Sequence, residues 1–146
     1  MSVEERLYSL AAQLKMLEAY MNDLLAREDT IVRFIQDARL AMEAIRGLDS
    51  KEGDDLHTFM PIGVGVYVHA RVSTKERLLV SVGSGIAIEK GRDDAIAYIE
   101  TRVRELEGAL VSIGNQKQEL QARIESIRGE MNSIMQQMQQ KQVQRG

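Results

Sequence analysis

Two Gly-x-Gly sequences, Gly63-Val64-Gly65 and Gly83-Ser84-Gly85, come closest to residues spaced for chemistry, because closely set glycines let a backbone cradle a phosphate. Neither completes the pattern. A dinucleotide-binding fingerprint needs a further glycine where Val68 and Ile88 stand, neither pair feeds a Rossmann-type helix, and no P-loop follows. Glycine at a tight turn with positive φ is the better account. His57 and His69 are the only histidines, and neither cysteine nor a tight carboxylate cluster accompanies them at ligand spacing, so a metal centre or a histidine general base is not expected. No serine lies in a nucleophile elbow. The residues point to no enzyme, no cofactor and no metal, since catalysis needs a concave pocket with convergent polar groups.

The composition narrows the class further. Of 146 residues, 44% are hydrophobic but only 4% are aromatic, with one proline and no tryptophan. Leu, Ile, Val, Ala and Met therefore carry the apolar content, which suits long helices better than a globule around a substrate cleft. The 19 basic residues interleave with 22 acidic ones for a net charge of -3, leaving no basic stripe for a nucleic acid. No secretory leader pattern and no run of membrane-spanning length is evident, and a single cytoplasmic domain over 1–146 is the expectation.

Strand character is confined to residues 55–90. Pro61 separates the apolar run Leu56 to Met60 from Val64 to Val72 and is expected to mark the break between two strands, since proline cannot donate to a ladder. Val64, Val66, Val68, Ala70 and Val72 alternate onto one face, with Tyr67, His69 and Arg71 on the other. Leu78, Val80 and Val82 alternate again, and the second Gly-x-Gly turns into Ile86, Ala87 and Ile88. Four short strands make two β-hairpins. Too small to stand alone and apolar on both faces, they are expected to complete a sheet or barrel with strands of other subunits.

Long helices must flank this region. From Ser2 to Gly47 the residues Leu7, Leu10, Leu14, Leu17, Met21, Leu24, Glu28, Ile31, Ile35, Ala38, Met42 and Ile45 recur every 3.5 positions on average, the signature of a coiled-coil seam. Ser2 and Glu5 form a capping box, and Gly47 is a plausible left-handed stop before a polar loop, giving a helix over 2–48. A second seam over 93–142 runs from Ile96 to Lys141 and is broken only by Lys117 and that final lysine. The two helices, each on the order of 70 Å, match in length and are predicted to pair antiparallel. That register brings Glu28 within about one turn of Lys117, and the two charged breaks read either as a pair that sets it or as two independent side chains tilted into solvent. Gly108, Gly114 and Gly129 make the second helix the more pliable. At its end Met131, Met135 and Met138 lie among glutamines. They read either as seam fraying out or as a flexible apolar surface for varied partners, and Met135 lies off the seam.

The stretches PIGVGVYVHARV (Pro61 to Val72) and LLVSVGSGIAIEKGRDDAIAYIE (Leu78 to Glu100), set between two heptad arms, resemble the alpha class of the prefoldin family, whose beta class carries one hairpin. The resemblance covers nearly the whole chain. It implies an α+β fold: a long antiparallel two-helix coiled coil with two β-hairpins between the helices, their strands completing an oligomeric β-barrel. It further implies a hexamer with beta-type subunits, two alpha and four beta, that captures unfolded polypeptides at the coiled-coil tips without ATP and delivers them to a group II chaperonin. By position, the tip residues are Leu7, Leu10, Met131, Ile134, Met135 and Met138, and assembly falls to Val64, Val66, Val68, Val80, Val82, Ile86 and Ile88. No nucleic acid or membrane partner is implied. The alternative is a structural protein whose β-region polymerises into a filament or scaffold, as in a divergent prefoldin-like group.

Overall fold

A computed structural model describes residues 2–48 and 55–145. Helix α1 (Val3–Gly47) is followed by strands β1 (Asp55–Gly63), β2 (Val66–Ser73), β3 (Leu78–Gly83) and β4 (Ile86–Lys90), and helix α2 (Arg92–Arg145) ends the series. The polar loop read after Gly47 lies mostly outside the described residues. By contacts the chain forms two compact units, Met1–Val32 with Glu107–Gly146, and Arg33–Leu106.

α1 begins as its capping residues dictate. The Glu5 N–H donates to Ser2 Oγ at 3.1 Å and the Ser2 N–H donates to Glu5 Oε2 at 3.3 Å, which satisfies amides that the first turn leaves without partners. At the other end the expected left-handed stop is absent: Gly47 does not have a positive φ. The helix instead closes with the Leu48 N–H shared between the carbonyls of Ala44 and Ile45, a tightened last turn that satisfies the end without a left-handed residue.

In the first unit the helices pair antiparallel. Leu24 is buried with Ile113, Leu120 and Ile124, and Leu14, Leu17, Met21 and Ile31 pack against this cluster. Every one is a seam position, so the 3.5-residue spacing is realised as a narrow interface. Arg6–Glu130 at 2.6 Å and Arg128–Glu18 at 2.9 Å flank it, and the Tyr20 hydroxyl donates to Gln116 Oε1 at 3.3 Å. These are exposed contacts that add little energy but fit a single register. Where charge interrupts both seams, Lys117 Nζ donates to Glu28 Oε1 and Oε2 at 3.2 and 3.1 Å, with both side chains about one-third exposed. Each charge thus meets its opposite in the one alignment that also matches the leucines.

In the second unit Ile35, Ala38, Met42, Ala95 and Val103 are buried. Its strands form two separate two-stranded antiparallel sheets, β1-β2 and β3-β4. Pro61 does not divide two strands: it lies inside β1, opposite Tyr67, and the chain reverses later, with Gly63 opposite Val66. A proline is tolerated because a two-stranded sheet consists only of edges, where one missing N–H need not break a ladder. Val64, read as a strand residue, forms the turn. Gly63, Val64 and Gly65 have φ of 127°, 51° and 77°, and Gly83, Ser84 and Gly85 repeat this with 103°, 53° and 73°. Two successive positive φ values define the tight hairpin turn whose twist matches paired strands. The two Gly-x-Gly sequences are therefore the same turn built twice, each beside a register irregularity.

Three outcomes follow for stability. In a double-mutant cycle of Glu28→Ala and Lys117→Ala, urea denaturation should show a coupling of about 0.5–1 kcal/mol that shrinks in 1 M salt. Val64→Asn should stabilise the chain by about 1 kcal/mol in the same assay, because it removes a β-branched side chain from the left-handed region. A Cβ at Gly114 meets no atom within 4 Å, so Gly114→Ala should raise stability by about 1 kcal/mol.

Candidate functional site

Two surfaces stand out once the elements are in place. The first lies in the unit of helix ends. Arg6 bonds to Glu130 three residues after α1 begins, whereas α2 runs fifteen residues past Glu130. About twelve residues of α2, roughly 18 Å of helix, therefore extend beyond the start of α1. Burial follows this geometry. Leu10 is 2% exposed and Ile127 is buried, Leu7, Met131, Ile134 and Met138 are half-buried, Met135 is 44% exposed, and every described residue from Gln139 on is exposed.

The six residues expected at the tip thus divide. Leu10 is sealed within the helix pair, Leu7, Met131, Ile134 and Met138 present part of their surface, and Met135 stands off the seam. Further apolar residues escaped the sequence reading: Tyr8 is 83% exposed and Met16 74%, with Tyr20 also exposed, and these three fall at four- and eight-residue spacings along the outer side of α1. The signal was present as an apolar i, i+4 row through Tyr8, Ala12, Met16 and Tyr20, but the stronger seam beside it masked it.

The second surface is formed by the hairpins. In β1-β2 the pairs Leu56–Val72, Thr58–Ala70 and Met60–Val68 share one face, and His57–Arg71, Phe59–His69 and Pro61–Tyr67 the other. The Phe59 and His69 rings lie 4.5 Å apart, so His69 packs against an aromatic neighbour. Of the residues read as assembly positions, Val66, Val68, Ile86 and Ile88 are exposed, and Val64 projects fully from its turn. Val80 and Val82 are half-buried because the β3 side chains alternate toward the helices. Val82 lines a groove of about 540 Å³ with Phe34, Ala38, Tyr98, Ile99 and Arg102. Arg102 sits 6.0 Å over the Phe34 ring and Lys90 5.7 Å over Tyr98, cation–π contacts that tie helix to helix and strand to helix. Arg92 Nη2 also donates to the carbonyl of buried Thr74 at 3.0 Å, which holds the segment between the hairpins against the start of α2.

Phe59, Ile62, Tyr67 and Leu79 are exposed too, although the sequence reading named none of them as assembly positions. What the hairpins offer is therefore apolar on both sides and open at every strand edge, chemistry suited to pairing with further strands. Among the described residues no group of three or more His, Cys, Asp or Glu side chains is placed to hold a metal ion, and no helix is long and apolar enough to cross a membrane.

Comparison with known proteins agrees with this geometry. A family model described as a prefoldin subunit matches residues 3–144. The chain is 36% identical over 137 residues to a prefoldin subunit alpha of Nitrosopumilus maritimus, covering 94% of this chain and 93% of the relative. Among solved structures it is similar to the filamentous PFD of Methanocaldococcus jannaschii, at 25% identity and a TM-score of 0.54, over 87% of this chain and 98% of that one. It also shares the fold of the prefoldin beta subunit from Thermococcus strain KS-1, at 13% identity and a TM-score of 0.58, over 90% and 94% of the two chains.

Proposed function

This chain belongs to the prefoldin family, and from that premise we propose that it is an alpha-type chaperone subunit whose helix ends capture unfolded polypeptides without ATP. The observation that carries the reading is the helix end itself: a seam of Met131, Ile134 and Met138 that runs on past the start of its partner helix, with Met135 exposed beside it. Methionine adapts to apolar side chains of many shapes, which a chaperone needs and an enzyme does not.

The hairpins supply the other half. Their open edges and two apolar faces support assembly with beta-type subunits, two alpha and four beta, through a shared β-barrel to which Val64, Val66, Val68, Val80, Val82, Ile86 and Ile88 contribute. Leu7 adds apolar surface at the tip, and Leu10 joins when the helix ends part. With several tips on one particle, each weak contact raises the effective concentration of the next, so a client is held firmly by contacts that are individually easy to break. A group II chaperonin competing for the same exposed segments then takes the client over with no hydrolysis in this subunit. The cytoplasm is the compartment in which this exchange is proposed.

The test is aggregation of a chemically denatured client on dilution, followed by light scattering in the presence of the chain assembled with beta-type subunits. Wild type should suppress scattering. Met131→Ser, Met135→Ser and Met138→Ser together should weaken client affinity about tenfold while the mass of the assembly is unchanged, given the apolar area removed. Open-ended polymers formed by the chain alone, with no suppression, would instead support a scaffold.

A further inference from the structure

We propose that one face of β1-β2, the one that carries His57, Phe59, Tyr67, His69 and Arg71, is a docking surface for an extended acidic segment of a partner protein. This goes beyond the capture of unfolded chains and does not rest on it.

The two faces of this hairpin differ in chemistry. Leu56–Val72, Thr58–Ala70 and Met60–Val68 make one of them, which holds no ionisable side chain, and the strand residues assigned above to assembly, Val66 and Val68, both belong to it. The opposite face pairs His57 with Arg71, Phe59 with His69 and Pro61 with Tyr67, and Asp55 is its only carboxylate. The whole chain has two Phe, four Tyr and two His, yet one phenylalanine, one tyrosine and both histidines meet on these two strands. Phe59 is 60% exposed and Tyr67 59%, and His57, His69 and Arg71 are exposed beside them.

Arg71 decides what such a face accepts. The other basic side chains of residues 55–90 are engaged within the chain: Arg77 donates to the Glu89 carbonyl at 3.4 Å, Lys90 lies over Tyr98, and Lys75 has a partner too. Arg71 makes no hydrogen bond, ion pair or ring contact among the described residues. A purely apolar occupant would strip water from its guanidinium and leave the charge unpaired, which is strongly unfavourable. A carboxylate removes that penalty, because it meets the planar guanidinium in two parallel hydrogen bonds. The ring N–H groups of His57 and His69 add donors on the same face. Aromatic residues and arginine are also enriched at protein interfaces, with Tyr and Arg among the strongest contributors to binding. Both strands of the sheet are edges, to which an extended segment adds as a further strand. A nucleic acid offers anions and rings as well, but one unpaired arginine on a chain of net charge -3 gives it little counterion release.

The experiment follows the fluorescence anisotropy of two labelled peptides, one alternating Glu with Val and one alternating Gln with Val, on the full-length chain alone and with beta-type subunits. Wild type should bind the Glu peptide about tenfold more tightly, the difference that one charge-assisted pair makes. Arg71→Gln should bind the two alike. Phe59→Ala with Tyr67→Ala should bind both about tenfold more weakly, with circular dichroism and the mass of the assembly as in wild type. Equal binding of the two peptides to wild type, binding of neither, or a preference that survives Arg71→Gln would overturn the inference and leave suppression of client aggregation untouched. Three further results would also overturn it. Failure of Arg71→Gln to assemble would give the face to the hub, displacement of the Glu peptide by single-stranded oligouridine would give it to a nucleic acid, and loss of the preference in the variant Met131→Ser, Met135→Ser, Met138→Ser would move the peptide to the helix ends.

Discussion

A narrow apolar seam on a helix is stable in water only while another helix covers it, and most of what this chain does follows from where that cover is complete and where it stops. Leu24, Ile113, Leu120 and Ile124 show it complete: side chains that would be an aggregation hazard on a lone helix are buried against one another. At the end of α2 it stops, because α1 begins opposite Ser133 or so while the seam spacing continues through Ile134 and Met138. The same period that builds the helix pair therefore also builds an open apolar surface.

The charged interruptions explain why the cover ends at a defined place. A leucine seam alone tolerates slippage by one heptad at modest cost, since leucine would still meet leucine. Glu28 and Lys117 do not tolerate it, because a slip would leave each charge on an apolar strip without its counter-ion. Holding this register holds the overhang at its length. In the chain's own terms, a polar pair in the middle of the unit sets how much methionine is exposed at its end.

The hairpins apply the same logic to strands. Two positive-φ turns of identical build close two small sheets, and neither sheet has strands enough to bury its faces or satisfy its edges. Pro61 lies within β1 and Val64 in a left-handed turn, both in a sheet of two strands that are edges alike. The Lys90–Tyr98 cation–π contact and the Arg92–Thr74 bond attach β3-β4 and the segment after β2 to α2, while aromatic and aliphatic side chains of the hairpins stay exposed.

Heptad spacing, the Ser2–Glu5 cap, strand alternation and the failed glycine fingerprints were enough to determine, from sequence alone, two long helices around two hairpins and the absence of a recognisable catalytic motif, whereas the direct pairing of Glu28 with Lys117 was decided by the structure. Features of the first kind are local or periodic, so physics acting over a few residues decides them. What the tertiary structure alone decided are the matters that depend on which residue ends up beside which. Leu10 is sealed while Met135 is not, the chain turns at Val64 rather than at Pro61, Gly47 stays helical, and Tyr8 and Met16 face outward on a row the seam had hidden. Exposure is a property of the partner's length and of the register between two helices a hundred residues apart in sequence, and no window along one strand or one helix contains that information.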